Sequence, residues 1–503
     1  MTVESRLGRV GVEVNDAAAS GVRAGSRLVS AGLRDDLCRA ARDMPYRPAT
    51  EEVNRLSGRT TSGDELPLSF VVSAVAAEGA AVSCAREAEA RRVLAETGAF
   101  DGDGVPVEGL LGPGSLPEAL RCKRAETVVV EADRGADPAV ASLTAESALS
   151  MAKDELLSVV GVSAPYSGGA KHPTTRRSSR EEVAADDKAA TAEAHVAWLA
   201  GMAGIPTPRR IIRRWVVERD SSQCCYVSVD AVLVDEQCAE HVRGGKPEAR
   251  DSNTYVKHWN ARVEADGRRH NVSSTDEGAM WLELMACLAQ NGLLGRRVVF
   301  LVDGETRITE RAEMHLAPWD HQVLLDWYHL EEKLGQFMSL MVVGRRVDDP
   351  DAEVEYYKRG KNKGKPKPCR HKVALSRLYA KEACLIAWVG NVAQLIAYVR
   401  CIPDEDVKDE SARASLLGYL ERKADMITCY SLRKKLGLRN SSNGSEQLNQ
   451  LVVSQRQKQG LMAWREPGSG ALAQVSTLYL NEGDRDWFAG RTVTFDMALC
   501  DAA

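Results

Sequence analysis

At 503 residues the chain is too long for one ordinary hydrophobic core, and about two to four domains are expected. Its 66 Lys and Arg against 71 Asp and Glu give a formal charge of -5, which decides nothing about nucleic acid, because a basic face can be masked by acids elsewhere. Twelve cysteines without a repeated Cys-x-x-Cys argue against a disulfide framework or a zinc site; with no signal-peptide pattern ahead of them, reduced thiols in a cytoplasm are expected. The longest apolar run, ACLIAWVGNVAQLIAYV over 383–399, is short for a membrane span and carries Asn391 and Gln394, so it reads as a buried helix of a protein with no membrane partner.

Residues 1–165 are rich in Ala, Arg and Glu, and segments such as DDLCRAARDM and GAAVSCAREAEARRVLAET read as amphipathic helices between Gly, Asp and Pro-rich turns. SGGAKHPTTRRSSREE, 167–182, has the composition of an exposed linker. In AEAHVAWLAGMAGIPTPRRIIRRWVVER an apolar-faced helix, a Gly-Ile-Pro-Thr-Pro turn and a second helix follow, with Arg209, Arg210, Arg213 and Arg214 at helical spacing on the second. Residues 166–222 therefore read as a linker and a helix-turn-helix whose arginines reach DNA; the alternative is a helical hairpin with a solvated arginine face.

From Gln223 the pattern shifts to period two. CCYVSVDAVLVD and TYVKHWNARVEAD read as strands, DEGAMWLELMACLAQNGL as a helix, RRVVFLVDG as a strand, and ETRITERAEMHL as a helix. HQVLLDWYH is a further strand, opening directly into the helix LEEKLGQFMSLMV. Strands in succession, then helix, strand, helix, strand, is the order of an RNase H-like α/β domain, a mixed sheet flanked by helices.

Asp230 sits in mid-strand among valines, and Asp303 ends the strand RVVFLV at an Asp-Gly-Glu. An Asp is a poor strand former, and a buried carboxylate needs a cation, a donor or solvent. Two such carboxylates on neighbouring strands can converge on a divalent cation; singly, each reads as a strand-end residue capping the next helix or paired with an arginine. RNSSNGSEQLNQLVVSQRQKQG supplies a third carboxylate, Glu446, in the first turn of a helix, where a plain interaction with the helix dipole is the alternative. His329 in LLDWYHLEEKLGQF reads by itself as a helix-start histidine bonded to Asp326.

Lys358 to Lys381 holds ten Lys and Arg and no acid, among them Lys358, Arg359, Lys361, Lys363, Lys365 and Lys367. Its glycines and prolines predict a mobile loop, either a phosphate ligand or a solvated counterpart to the acidic DDPDAEVE before it. Trp319 and Trp464 are read as core residues, with stacking on an exposed base as the alternative.

VSVDAVLV, VVFLVDGE, LDWYHLEEKL and NGSEQLNQLVVSQRQKQGLMAW resemble, in that order, the motifs of bacterial insertion-sequence transposases with a DDE catalytic core, nearest to the Mutator-like branch. The resemblance covers residues 223 to 488 and is carried most by Asp326-Trp-Tyr-His329. It implies Asp230, Asp303 and Glu446 as metal ligands, His329 as an active-site histidine, two Mg²⁺ or Mn²⁺ ions, and a helical insertion over 335–439 between core segments 223–334 and 440–503. The interval of 143 residues between Asp303 and Glu446 leaves room for that insertion. The activity implied is cleavage at transposon ends and transfer of the 3′-hydroxyl into target DNA. The expected partners are double-stranded DNA and further copies of the chain on it, at the nucleoid of a bacterial cytoplasm. The alternatives are a nuclease without strand transfer and a domesticated transposase that only binds DNA. Pro467 and the extra glycines after Trp464 depart from the pattern.

Overall fold

A computed structural model of the chain describes residues 2–6, 8–11, 22–24, 27–107, 127–131, 214–218, 224–237, 254–348, 356–359, 361–366 and 371–500, apart from 389, 436, 460 and 461. The strands in chain order are β1 (Thr2–Ser5), β2 (Gly8–Gly11), β3 (Val22–Ala24), β4 (Arg27–Val29), β5 (Thr127–Glu131), β6 (Arg214–Glu218) and β7 (Cys224–Asp235). They continue with β8 (Tyr255–Ala265), β9 (Arg268–Ser274), β10 (Arg297–Val302), β11 (His321–Leu325), β12 (Arg346–Asp348), β13 (Lys372–Ala374) and β14 (Ala498–Leu499). The chain divides into two compact units, one of 1–124, 224–322 and 442–503, the other of 125–223 and 323–441. Residues 1–124 thus share a unit with the central strands.

The first unit is built on a mixed sheet of order β11-β10-β7-β8-β9-β14, with β11 the strand at which the chain passes to the second unit. β10 is parallel to β7, while β8 and β9 are antiparallel to their neighbours. β10 is an unbroken apolar run because both of its faces are covered, as its burial from Val298 to Val302 records. β8 and β9 form a hairpin at Asp266-Gly267, whose φ values of 51° and 70° are what a two-residue turn of primed type requires.

The two faces of this sheet differ in chemistry. Helix Glu277–Gln290 covers the face bearing Phe300, on which Trp281 stacks at 5.7 Å. Helix Asn443–Asn449 lies against β7 and β8 on the opposite face, the side of Ser228 and Asp230. Outside the sheet, helix Leu68–Thr97 packs on Glu277–Gln290 and on Glu466–Leu480. This helix is long and apolar enough to cross a membrane by length and composition. One face of it is nevertheless buried inside the unit and holds Glu78 and Arg86 in hydrogen bonds.

Two expectations are overturned among the described residues, and two segments take a more specific form than expected. Within the mainly helical N-terminal region, part of the first 30 residues forms a small sheet of order β2-β1-β4-β3. The second helix of the expected helix-turn-helix is a strand over Arg214–Glu218, paired antiparallel with Thr127–Glu131; Val216, Val217 and Trp215 favour strand, and TVVVE supplies the partner. Arg209, Arg210 and Arg213 lie outside the described residues. The apolar run 383–399 is two helices, Leu375–Trp388 and Val392–Arg400, because Gly390 takes φ 76° where a Cβ would stand 2.7 Å from the Thr428 backbone. The basic segment, expected as a loop, carries a hairpin-like turn, with Tyr356 bridged to Pro366 and the Tyr357 N–H donating to the Lys365 carbonyl at 3.0 Å.

Candidate active site

Along the parallel pair, Val299 lies beside Tyr226 and Leu301 beside Ser228. The paired register ends there, two residues short of Asp230 on β7 and of Asp303, which follows the last residue of β10. Asn260 of β8 lies opposite Asp230, and Ser273 of β9 lies opposite Asn260. A polar row of Asp230, Asn260 and Ser273 therefore crosses three strands. Asn260 and Ser273 are fully buried, and neither Asn260 Oδ1 nor Ser273 Oγ has a hydrogen-bond partner among the described residues. An orphaned buried acceptor costs about 1–3 kcal/mol, so a donor, water or cation at this row would be stabilising.

The Asp-Gly-Glu after β10 has a local explanation. Gly304 adopts φ 97°, a conformation that L side chains rarely take, and this brings the Glu305 N–H back to Asp303 Oδ1 at 2.8 Å. Asp303 thereby forms an Asx-type turn that leads into helix Thr306–Leu316. Asp230 is held on both oxygens: Oδ1 accepts the Ala231 N–H at 2.7 Å, and Oδ2 accepts Asn449 Nδ2 at 2.7 Å. Asn449 Oδ1 in turn accepts Asn260 Nδ2 at 2.5 Å.

The helix that delivers Asn449 packs on the sheet at Gly444, where a Cβ would stand 3.1 Å from Ser228 Oγ and from Glu264 Oε2, so a side chain there would require these groups to give way. Arg262 ties the helix down by donating to Gln447 Oε1 at 2.7 Å. After Asn449 the helix loosens into a π-helical turn, Gln450–Ser454, before Gln455–Gln457 resumes the α form. Such turns accommodate an extra residue in the ladder and recur at functional sites.

Glu446 is exposed in the first turn, three residues before Asn449 and so adjacent to it on the helix surface. It does not complete a cluster with the aspartates: among the described residues no group of three or more His, Cys, Asp or Glu is placed to hold a metal ion. Asp230 and Asp303 offer the hard oxygen donors that a divalent cation takes, and such a cation can be held by one or two carboxylates with water in its remaining positions. The group that touches Asp230 is Asn449. Neither Asn449 nor Asn260 is among the residues that the sequence pattern marks for the site. The signal that could have found them is the one that marks Asp230, a polar residue where the pattern calls for an apolar one.

Further along the same face, His258 lies opposite Val232, with Nε2 2.6 Å from Ser469 Oγ, which donates to Gln457 Oε1 at 2.5 Å. Burial pushes the imidazole down to about 4, so it is neutral at physiological pH.

His329 belongs to the second unit. Asp326 is the N-cap of helix Trp327–Met341 and accepts the His329 N–H at 3.0 Å, with His329 Nδ1 3.3 Å from the same oxygen. That is the capping arrangement which the local sequence suggests. Trp327 packs against Trp388 and Tyr430, at 4.6 and 5.1 Å, immediately after the cap.

Lys358, Arg359, Lys361, Lys363 and Lys365 are exposed on the hairpin, and Lys367 lies outside the described residues. β12 and β13 pair antiparallel outside that hairpin, so the two pairings are nested around one basic tip. Trp319 is buried against Phe100 at 5.1 Å, and Trp464 is buried with Nε1 donating to the Gln457 carbonyl at 3.0 Å; both are core residues. The described cysteines are free. Compared with protein-family models, curated proteins and solved structures, the chain matches none.

Proposed function

We propose that the chain is a DDE-type DNA transposase with an RNase H-like catalytic core, cleaving at the ends of a mobile element and joining the 3′-hydroxyl to target DNA. The observation that carries this reading is that Asp230, in mid-strand on β7, is bound by Asn449 of the NGSEQLN helix, while Asp303 directly follows β10, the parallel neighbour of β7. The four motifs that resemble this family support it, as does the delivery of the NGSEQLN helix to the same point of the sheet. In this reading Asp230 and Asp303 hold a divalent cation, Mg²⁺ or Mn²⁺, and Glu446 serves a second ion when DNA is bound. The cations supply activation of water or a 3′-hydroxyl and stabilise the leaving oxygen. The chain's own contribution is placement: the turn at Gly304 fixes one carboxylate and Asn449 the other. His329 is the candidate for positioning a phosphate or water. The exposed Lys and Arg of the 356–366 hairpin give sequence-independent affinity for duplex phosphates, and further copies of the chain assemble on the DNA.

A second reading, a descendant that only binds DNA, is favoured by Glu446 standing apart from the aspartates. Cleavage of labelled duplex carrying the element's own flanking ends, in Mg²⁺ or Mn²⁺, separates the two. Metal-dependent cutting that Asp303→Asn abolishes supports the transposase, and joined products distinguish it from a nuclease without strand transfer. Tight binding without cutting supports the second reading.

A further inference from the structure

Within the reading just given, the polar row contains more than Asp230. Asp230 Oδ2 is occupied by an amide donor from a helix, and that amide is itself oriented by a buried asparagine of the neighbouring strand. Each link is short, at 2.7 and 2.5 Å, and Asn260 and Asn449 are both buried. Two asparagines in this position have no packing reason. A leucine or valine would fill the same space between helix and sheet without the cost of desolvating an amide. The orphaned Asn260 Oδ1 adds to that cost. A buried polar relay that ends on a carboxylate is the arrangement by which outer groups fix the orientation of a metal ligand.

We propose that Asn449 is the positioning residue of the Asp230 carboxylate, with Asn260 orienting it. The bond to Oδ2 holds Asp230 in a single rotamer, so its carboxylate is set before a cation arrives. The π-helical turn that follows Asn449 frees the Asn449 end of the helix from the strict α-helical repeat. Because residues three apart are neighbours on a helix, a small rotation there would bring Glu446 toward Asp230 when DNA is bound.

The test uses the full-length protein and Mn²⁺ alone, reading affinity by the loss of the free-ion paramagnetic resonance signal and by the Mn²⁺-induced rise in melting temperature. The wild type is expected to bind, and Asp303→Asn to lose the site. Asn449→Ala is expected to weaken Mn²⁺ binding by roughly 10–100-fold, the usual effect of removing an outer-shell partner. A purely structural role would lower the melting temperature equally with and without Mn²⁺ and leave the affinity unchanged, and that result overturns the inference. Should the alanine variant fail to fold, the near-isosteric Asn449→Leu decides: it keeps the volume and removes the amide donor, so it is expected to weaken Mn²⁺ binding and to shrink the Mn²⁺-induced rise in melting temperature, and an affinity equal to that of the wild type counts against the proposal. Absence of any Mn²⁺ site sensitive to Asp303→Asn sinks the metal reading and this inference together, whereas a wild-type site indifferent to Asn449 sinks this inference alone.

Discussion

Gly79 of helix Leu68–Thr97 meets Ala471 of helix Glu466–Leu480 backbone to backbone, so close that a Cβ on Gly79 would stand 2.2 Å from the Ala471 carbonyl oxygen. This approach joins a helix from the first hundred residues to one from the last forty within a single compact unit. Gly→Ala in mid-helix normally stabilises by about 1 kcal/mol. Here the sign reverses, because the helices must separate to admit the methyl group. Gly79→Ala is expected to cost at least about 1–3 kcal/mol in urea unfolding. A gain in stability would show that the helices do not touch at this point.

The neighbouring residue on the same helix, Glu78, is 1 % exposed and binds Arg34 at 2.7 Å, Arg491 at 2.6 Å and the Trp487 indole N–H at 3.0 Å. Removing the carboxylate strands a buried guanidinium, so Glu78→Ala is expected to cost about 3–5 kcal/mol. The double variant Glu78→Ala with Arg34→Leu is expected to lose less than the sum of its parts, since the uncompensated charge is removed as well. A double-mutant cycle by chemical denaturation measures the coupling, and strict additivity would contradict the network.

Stability should depend on pH through three buried groups with opposite signs. Burial pushes the Glu283 carboxyl up to about 7 from 4.5, with Arg86 opposing the shift, so the folded state keeps a proton that the unfolded chain releases. This contribution is present below pH 4.5 and is lost as pH rises toward 7. His258 and His270 are held down to about 4, chiefly by burial, so their contribution is present above 6.5 and is lost as pH falls toward 4. Glu283→Gln removes only the first effect. Its loss of stability relative to wild type is expected to be greater at pH 5 than at pH 8, with a limiting slope of about 1.4 kcal/mol per pH unit. Equal differences at both pH values would place Glu283 outside the core.

The basic hairpin makes a prediction about salt. Replacing Lys361, Lys363 and Lys365 with alanine should leave the melting temperature unchanged, because all three are exposed. Affinity for non-specific duplex should fall, and the slope of log K against log salt should shrink by roughly 0.9 for each phosphate that is no longer neutralised. Fluorescence anisotropy at several salt concentrations reads this directly. An unaltered slope would assign the hairpin to solvent and direct attention to other surfaces.

Local pattern carried a large part of the architecture. RVVFLV, DEGAMWLELMACLAQ and HQVLLDWYH show their elements through unbroken apolar runs, helical periodicity and a helix-capping Asp326, all short-range properties. Asp303 stood out because a carboxylate followed by glycine ends a buried strand. Elsewhere two local preferences competed and a distant partner chose between them. Arg214–Glu218 is a strand because Thr127–Glu131 pairs with it, and the run 383–399 breaks at Gly390 because the Thr428 backbone occupies the space beside it. The site divides in the same way. That Asp230 is out of place in mid-strand, and that Asp303 ends a buried strand, is a property of the sequence alone. That Asn449 rather than Glu446 touches Asp230 depends on helix placement across more than 200 residues, which only long-range packing can set.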